Sequence, residues 1–307
     1  MKAEGRRLIL VHLLLLVLLY EIMFVPNQRP TVRDYDALLV GIAVIEALFL
    51  FALWYCKRRG TLSTGPFDII LAVWLLMIVW ELTTSVLNVA HPVLVPCPEN
   101  VFDTFRKQWS LLLLNVGYSM ELLLLGFALG LTAAVLLGLV AGWVPRIRAF
   151  AYPIANVMAP IPAIVISPYL VALMPTFRSA SLVVIILGIF WPTFLTTVNR
   201  VQNMEVQILD SARTLQPSTM TMLTRILLPY ILPGVISGLR VSMTTSLLML
   251  NFAELMGATH GMGYYVQNSI TYANYTHAVA GIFVIGIVVT ILNFLVGKLQ
   301  KWAIRWH

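Results

Sequence analysis

Apolar runs long enough to cross a bilayer alternate with short polar stretches along the whole chain. Leu8 to Val25, Ala37 to Tyr55, Phe67 to Leu87, about Val116 to Trp143, Tyr152 to Met174, Ser179 to Val198, Pro229 to Phe252 and Ala278 to Leu299 read as spanning helices in that order. About 20 apolar residues in helical form bridge the hydrocarbon core. Pro153, Pro160, Pro162 and Pro168 interrupt the fifth run, and Pro192 lies in the sixth. Asn88 to Leu113 is a polar connection, within which Pro98 to Trp109 predicts a surface helix with Phe102 and Phe105 dipping toward lipid. Glu205 to Pro229 is the longest polar passage of the second half. Its residues Val206, Ile208, Leu209, Ala212 and Leu215 recur mostly at three- and four-residue steps, the helical period. Gln216, Pro217 and Ser218 break that helix, and Ser218 is placed to cap a second one carrying Met220, Met222, Leu223 and Ile226. Two short amphipathic helices are therefore expected at one membrane face, between two spans. Ala253 to His277 is a loop rich in glycine and tyrosine.

Composition agrees with this pattern. The chain is 60% hydrophobic and 11% charged, whereas soluble domains are about 25% charged; this excludes an ordinary soluble domain. The net charge of +7 is explained by basic residues flanking the spans rather than by nucleic acid. With the N-terminus in the cytoplasm, fourteen of the 20 Lys and Arg fall inside. Arg29, Arg33, Arg106, Lys107 and Arg178 fall outside, and Arg240 lies within the seventh span. The asymmetry predicts that both termini, and the stretch from Glu205 to Pro229, face the cytoplasm. Cys56 and Cys97 fall on opposite predicted faces, so no disulfide is expected, and no metal-ligand cluster is present in the pattern. The first span is too long, and lacks the small-residue site, for a removed signal peptide.

The polar stretch resembles the cytoplasmic loop of ABC importer permeases: Glu-Ala-Ala, three residues, Gly, nine residues, Ile-x-Leu-Pro. Asp210, Ser211 and Ala212 take the first places, Gln216 the glycine place, and Ile226, Leu227, Leu228 and Pro229 the last. Asp210 keeps the charge of the family's Glu with a shorter reach. Gln216 replaces the residue that most easily ends a helix left-handed, at about 1 kcal/mol. From Phe67 to Trp306 the chain is similar to permeases of nitrate, sulfonate, taurine and bicarbonate importers. The resemblance rests on Trp80-Glu81, Pro96 to Phe105, Tyr118-Ser119 to Gly126-Phe127, Pro160-Ile161-Pro162-Ala163 with Pro168, Gly238-Leu239-Arg240, Ala253-Glu254 and Gly261-Met262-Gly263-Tyr264.

The resemblance implies an all-α polytopic membrane protein of about eight spans, N-in and C-in. Residues 66–307 would form a six-span type I importer domain with a coupling loop at 203–229. Residues 1–65 would be an added two-span segment. It further implies a permease working as two copies, or beside a similar permease, in a bacterial or archaeal cytoplasmic membrane. Two ABC ATPase subunits would dock, one on Asp210, Ser211, Ala212, Arg213, Leu215 and Gln216 of each copy. A substrate-binding protein would deliver a small polar solute from outside: a nitrate-, sulfonate-, taurine- or bicarbonate-like anion, or a vitamin precursor. ATP would be used on the ATPase, with no cofactor in this chain.

The residues carry no catalytic signature. There is no Gly-x4-Gly-Lys-Ser/Thr loop, His-Glu-x-x-His motif or Gly-x-Ser-x-Gly elbow, so no enzyme is expected. Charges inside spans are costly and face a cavity or a partner. Glu254 reads either as a residue beside the outer gate or as a span-end carboxylate facing water. Arg240 either lines the path, snorkels, or pairs with Glu121 of another span. Glu21 and Glu46 belong to the added spans, and Glu81 is expected to be solvated at an interface. Pro160, Pro162 and Pro168 free carbonyls that either a water-filled path or neighbouring helices satisfy. Gly126 and Gly130, Gly138 and Gly142, and Gly234 and Gly238 are pairs suited to a helix core or to a dimer interface. Tyr264 and Tyr265 fit an interfacial belt. Two rivals stay in view. A stand-alone secondary transporter would need a relay of clustered carboxylates. A membrane enzyme or scaffold would need clustered histidines, but His12, His91, His260, His277 and His307 are dispersed.

Overall fold

Proline opens several of the helices in the structure, because its missing N–H is unneeded in a first turn. The computed structural model describes residues 2–29, 34–58 and 64–303, with the backbone alone of Lys2, Ala3, Glu4 and Arg213. Arg33, Arg59 and Arg305 of the charge count lie outside the described residues. The elements are α1 (Lys2–Phe24), α2 (Asp36–Arg58), α3 (Gly65–Glu81), α4 (Pro98–Trp143), α5 (Pro145–Met158), α6 (Ala163–Leu173) and α7 (Phe177–Gln202), followed by α8 (Val206–Thr214), α9 (Thr219–Thr221), α10 (Leu228–Leu255), α11 (Met262–Thr271) and α12 (Tyr275–Ala303). Leu82–Val86 after α3 and Met222–Leu227 before α10 are π-helical turns. Among the described residues there is no strand.

Among the described residues seven helices are long and apolar enough to cross a membrane, and α5 with α6 makes an eighth span if the pair counts as one. This fits the expected all-α polytopic fold, with two adjustments. The fifth span is not a proline-kinked rod from Tyr152: its helix starts at Pro145, and α5 and α6 meet at 97°. Pro160 sits in the break and Pro162 is the N-cap of α6. The surface helix and the fourth span form one 46-residue element, broken at Gln108, where φ is −117° and ψ 18°. A straight helix of that length would far exceed the hydrocarbon thickness.

The chain divides into two compact units, residues 1–112 with 268–282, and 113–267 with 283–307. In the first, α1, α2 and α3 share one core of Val11, Leu18, Ile42, Phe49, Phe67 and the fully buried Trp74. Phe102 also packs there instead of dipping into lipid: its ring covers Gly41, where an added Cβ would fall 2.1 Å away. The chain leaving α1 is stitched to the end of α3. Gln28 N–H donates to the Ser85 carbonyl (2.9 Å), and Asn27 donates to Glu99 (3.2 Å). The buried Arg29 donates to Asn88 Oδ1 and to the Ala90 and Val95 carbonyls. Glu81, expected to meet water, is 3% exposed. The turn after α3 folds over it, and Thr84 and Ser85 are buried beside it.

In the second unit, α7 is the central rod and packs against α5, α6 and α10. A four-residue stripe of small side chains on α4 lets α7 approach. An added Cβ would fall 2.8 Å from Ile185 at Gly126, 3.2 Å from the Ile186 backbone at Gly130, 2.8 Å from Thr197 at Gly138 and 2.7 Å from Val201 at Gly142. These glycines therefore build the core of one chain. Between apolar helices in lipid, such close packing replaces the hydrophobic drive that operates in water. Gly238 has open space in front of it, while Gly234 lies under the Arg200 guanidinium.

Candidate functional site

Two groups of the resembling residues lie at the two ends of α10, both in the second unit. At its N-terminal end is the polar loop. Asn203 closes α7, and α8 then makes just over two turns. One face of α8 is held: Ala212 is buried with Val201, Met204, Met222, Leu227 and Ile231, and Leu209 packs on the same cluster. Val206, Ile208 and Leu215 are exposed, Leu215 by 80%. The five apolar positions thus span too wide an arc for so short a helix to bury. Asp210 and Ser211 lie on the outer surface, and Ser211 donates to the Gln207 carbonyl within the helix (2.7 Å). Gln216, exposed, has φ 44°. The helix therefore ends left-handed at the glycine place despite the substitution. Ser218 Oγ accepts from Thr221 N–H (3.3 Å) and caps a helix as expected, but that helix is not a separate short one: it runs through the π turn into α10, continuous from Thr219 to Leu255.

At the other end of α10 is Glu254. It is 1% exposed, so the reading of a carboxylate facing water is replaced by one of an internal clamp. Ser119 of α4 donates to one oxygen (2.6 Å) and Gly263 N–H to the other (2.7 Å). Ser119 in turn accepts from Met262 N–H (2.8 Å), and Asn115 accepts from Gly261 N–H (2.8 Å). The glycines are required here. Gly261 has φ 125°, and a Cβ on it would fall 2.4 Å from the Glu254 carboxyl. A Cβ on Gly263 would fall 2.6 Å from the Asn251 carbonyl. Tyr265 points inward from α11 and is buried, and that burial pushes its hydroxyl up to about 12.

The remaining candidates are dispersed. Arg240 is exposed, its guanidinium lying over Gly297 of α12. Its expected partner Glu121 pairs with Arg178 instead, beside a stack of Tyr118 on His260 at 4.7 Å. Pro160, Pro162 and Pro168 are exposed. Pro168 cannot donate to the Ile164 carbonyl, and the Ser167 hydroxyl does so in its place (2.7 Å). Sequence reasoning missed Ser119 and Asn115 as partners of the glycine loop. Their polar side chains within an apolar run were the available signal. Among the described residues no group of three or more His, Cys, Asp or Glu is placed to hold a metal ion.

Residues 105–306 match the family model described as "Binding-protein-dependent transport system inner membrane component". Three curated proteins illustrate the range of relatives. The permease protein SsuC of Bacillus subtilis (strain 168), provisionally assigned to aliphatic sulfonates transport, is 23% identical over 82% of this chain and 91% of its own length. The taurine transport system permease protein TauC of Escherichia coli (strain K12) is 28% identical over 83% and 92%. The formylaminopyrimidine transport permease protein ThiX of Halalkalibacterium halodurans is 24% identical over 76% and 93%.

Proposed function

The chain belongs to the binding-protein-dependent transport inner membrane component family, as a multi-pass permease subunit of an ATP-driven importer in the cytoplasmic membrane, and we propose that α8 is where it takes up force. The stand-alone secondary transporter gives way to this reading, as does the membrane enzyme or scaffold. A separate ABC ATPase docks on the stretch Asp210, Ser211, Ala212, Arg213, Leu215 and Gln216, where Ala212 holds the helix from its buried side, and ATP is bound and hydrolysed on that partner. Two permease copies, most simply identical, enclose one path, and a substrate-binding protein docks outside. Both termini and the 203–229 loop face the cytoplasm, as the basic residues favour. Pro160, Pro162, Pro168 and Arg240 line the path where the copies meet, and Glu254 acts from behind it by fixing the outer glycine loop. The solute is small and polar. The relatives' sulfonates, taurine and formylaminopyrimidine support an anion, a zwitterion or a polar heterocycle.

The observation that carries this reading is the shape of α8. Its buried Ala212 roots it in the unit, while Asp210 within it and Leu215 just before its left-handed end at Gln216 stand outward. Force applied there passes through Met222, Leu227 and Ile231 into α10. The test is co-purification of the full chain with the ATPase encoded beside it, for the native sequence, Asp210→Lys and Leu215→Ala. The native chain retains the ATPase and each variant loses about tenfold, the scale of one hot-spot contact. No retention by the native chain would remove the partnership. Equal retention by all three would move the dock elsewhere.

A further inference from the structure

Two cavities flank the last turns of α7. One, of about 660 Å³, is lined by Thr196, Asn199, Arg200, Asn203 and Tyr230, with Pro229, Ile231 and Pro233. The other, of about 390 Å³, is lined by Arg148, Tyr152, Asn199 and Gln202, with Ala149 and Pro153. Asn199 lines both. Each cavity thus holds one arginine, one tyrosine and amide side chains, and neither lining includes a carboxylate.

The two arginines are held in place. Arg148 donates to the Gly142 carbonyl (3.2 Å), which also accepts from Gln202. Arg200 lies across Gly234, where any Cβ would collide with it, and its Nε is buried with no hydrogen-bond partner. A donor left so is expensive unless something accepts from it. The C-terminal end of α7 contributes about half a negative charge, against one full positive charge on each arginine, so the local balance favours an anion.

The surroundings are those of a lipid surface. On α5, Ile147, Phe150, Ile154 and Val157 are all exposed, Phe150 by 73%. They fall on one face by helical spacing, while Ala155 is buried and Arg148 and Tyr152 turn toward α7. A helix with an apolar outward face beside a basic cleft lies in the interfacial layer, with acyl chains against one face and headgroups at the other. Basic pockets between spans take phosphate-bearing headgroups in this way. We propose that the end of α7 binds the phosphate headgroups of anionic phospholipid, in the two cavities that Arg148 and Arg200 line at the root of the 203–229 loop. The linings include no residue of α8 and none of Pro160, Pro162, Pro168 and Arg240, although Ile231 also packs on the cluster that roots α8.

The experiment uses the purified full chain and measures retained lipid by native mass spectrometry after equilibration with phosphatidylcholine vesicles, with and without phosphatidylglycerol. Native protein retains phosphatidylglycerol in preference to phosphatidylcholine. Arg200→Gln and Arg148→Gln each lower that retention about fivefold, the worth of one basic residue near a membrane surface. Arg146→Gln, on α5 but lining neither cavity, leaves it unchanged. Arg148→Gln leaves the seat on Gly234 intact, so it reports even if Arg200→Gln fails to fold. Equal retention of the two lipids, or an equal loss with Arg146→Gln, would overturn the site as general surface charge. Displacement of the lipid by inorganic phosphate at matched ionic strength would overturn the lipid assignment in favour of a soluble oxyanion.

Discussion

The two ends of α10 differ in how they are held. At Glu254 the carboxylate, three glycine-loop amides, a serine and an asparagine interlock, and everything in the clamp is buried. At the 203–229 loop a single buried alanine and a neighbouring leucine root α8, and most of its side chains meet the surroundings. Polar satisfaction fixes the first end to one arrangement, because each donor removed leaves an unpaired group in the interior. Shallow apolar packing holds the second, and such packing yields more easily. Force that enters at α8 therefore reaches a helix whose far end is already anchored.

Four changes and one labelling experiment sharpen or break that contrast. Gly261→Ala meets both a forbidding φ and the Glu254 carboxyl, and is expected to cost roughly 3 kcal/mol. Denaturant unfolding of the purified chain measures it, and a native-like midpoint would end the claim of an interlocked clamp. Next comes accessibility. In a Cys56→Ser background, Leu215→Cys should react with a maleimide about a hundredfold faster than native Cys97, which is 1% exposed. Burial also pushes the Cys97 thiol up. Its thiolate fraction therefore stays small at neutral pH, and its labelling rises only above the usual thiol range, near 8.5, through which residue 215 titrates. Comparable rates would erase the distinction between the two environments.

Glu254→Gln keeps one acceptor but loses the charge, and about 2 kcal/mol should be lost. A loss as small as that of a surface change would demote the clamp. Gln216→Gly should gain up to about 1 kcal/mol by relieving the left-handed backbone. Destabilisation there would mean that the glutamine side chain contributes something the geometry does not reveal. Leu215→Ala should change the unfolding free energy by less than about 0.5 kcal/mol, although its ATPase retention falls. A large stability loss would place Leu215 in the core.

How far the sequence led can be judged residue by residue. The helix at α8, the Ser218 cap and the break near Gln216 were legible because turn chemistry and spacing are local. The spanning helices were legible because lipid demands unbroken apolar length. The 97° bend between α5 and α6 was not legible, since four prolines indicate interruption without its angle. Glu81 was misread as solvated because α1, far upstream in sequence, packs on α3, and because the chain after Glu81 turns back over it at Ser85 instead of running out into water. The clamp at Glu254 depends on Ser119 and Asn115, more than a hundred residues upstream, a separation that no local pattern records. The pairing of Arg178 with Glu121 in place of Arg240 is of the same kind. Ala212 was expected at the dock and lies in a buried cluster. A bulky residue there would disturb packing as well as docking, so Leu215 is the cleaner probe.

The π-helical turn at Met222–Leu227 takes up a length that a regular helix in the same register would refuse. Such a turn holds one residue more than regular helix needs. The surplus is absorbed inside the turn, so Ser218 and α8 keep the side of α10 that a regular helix one residue shorter would give them. Removing one residue from the regular part of α10 would instead swing the loop by about 100° around its axis. The direction in which this chain presents its loop therefore survives a change of residue count at that turn and nowhere else along α10.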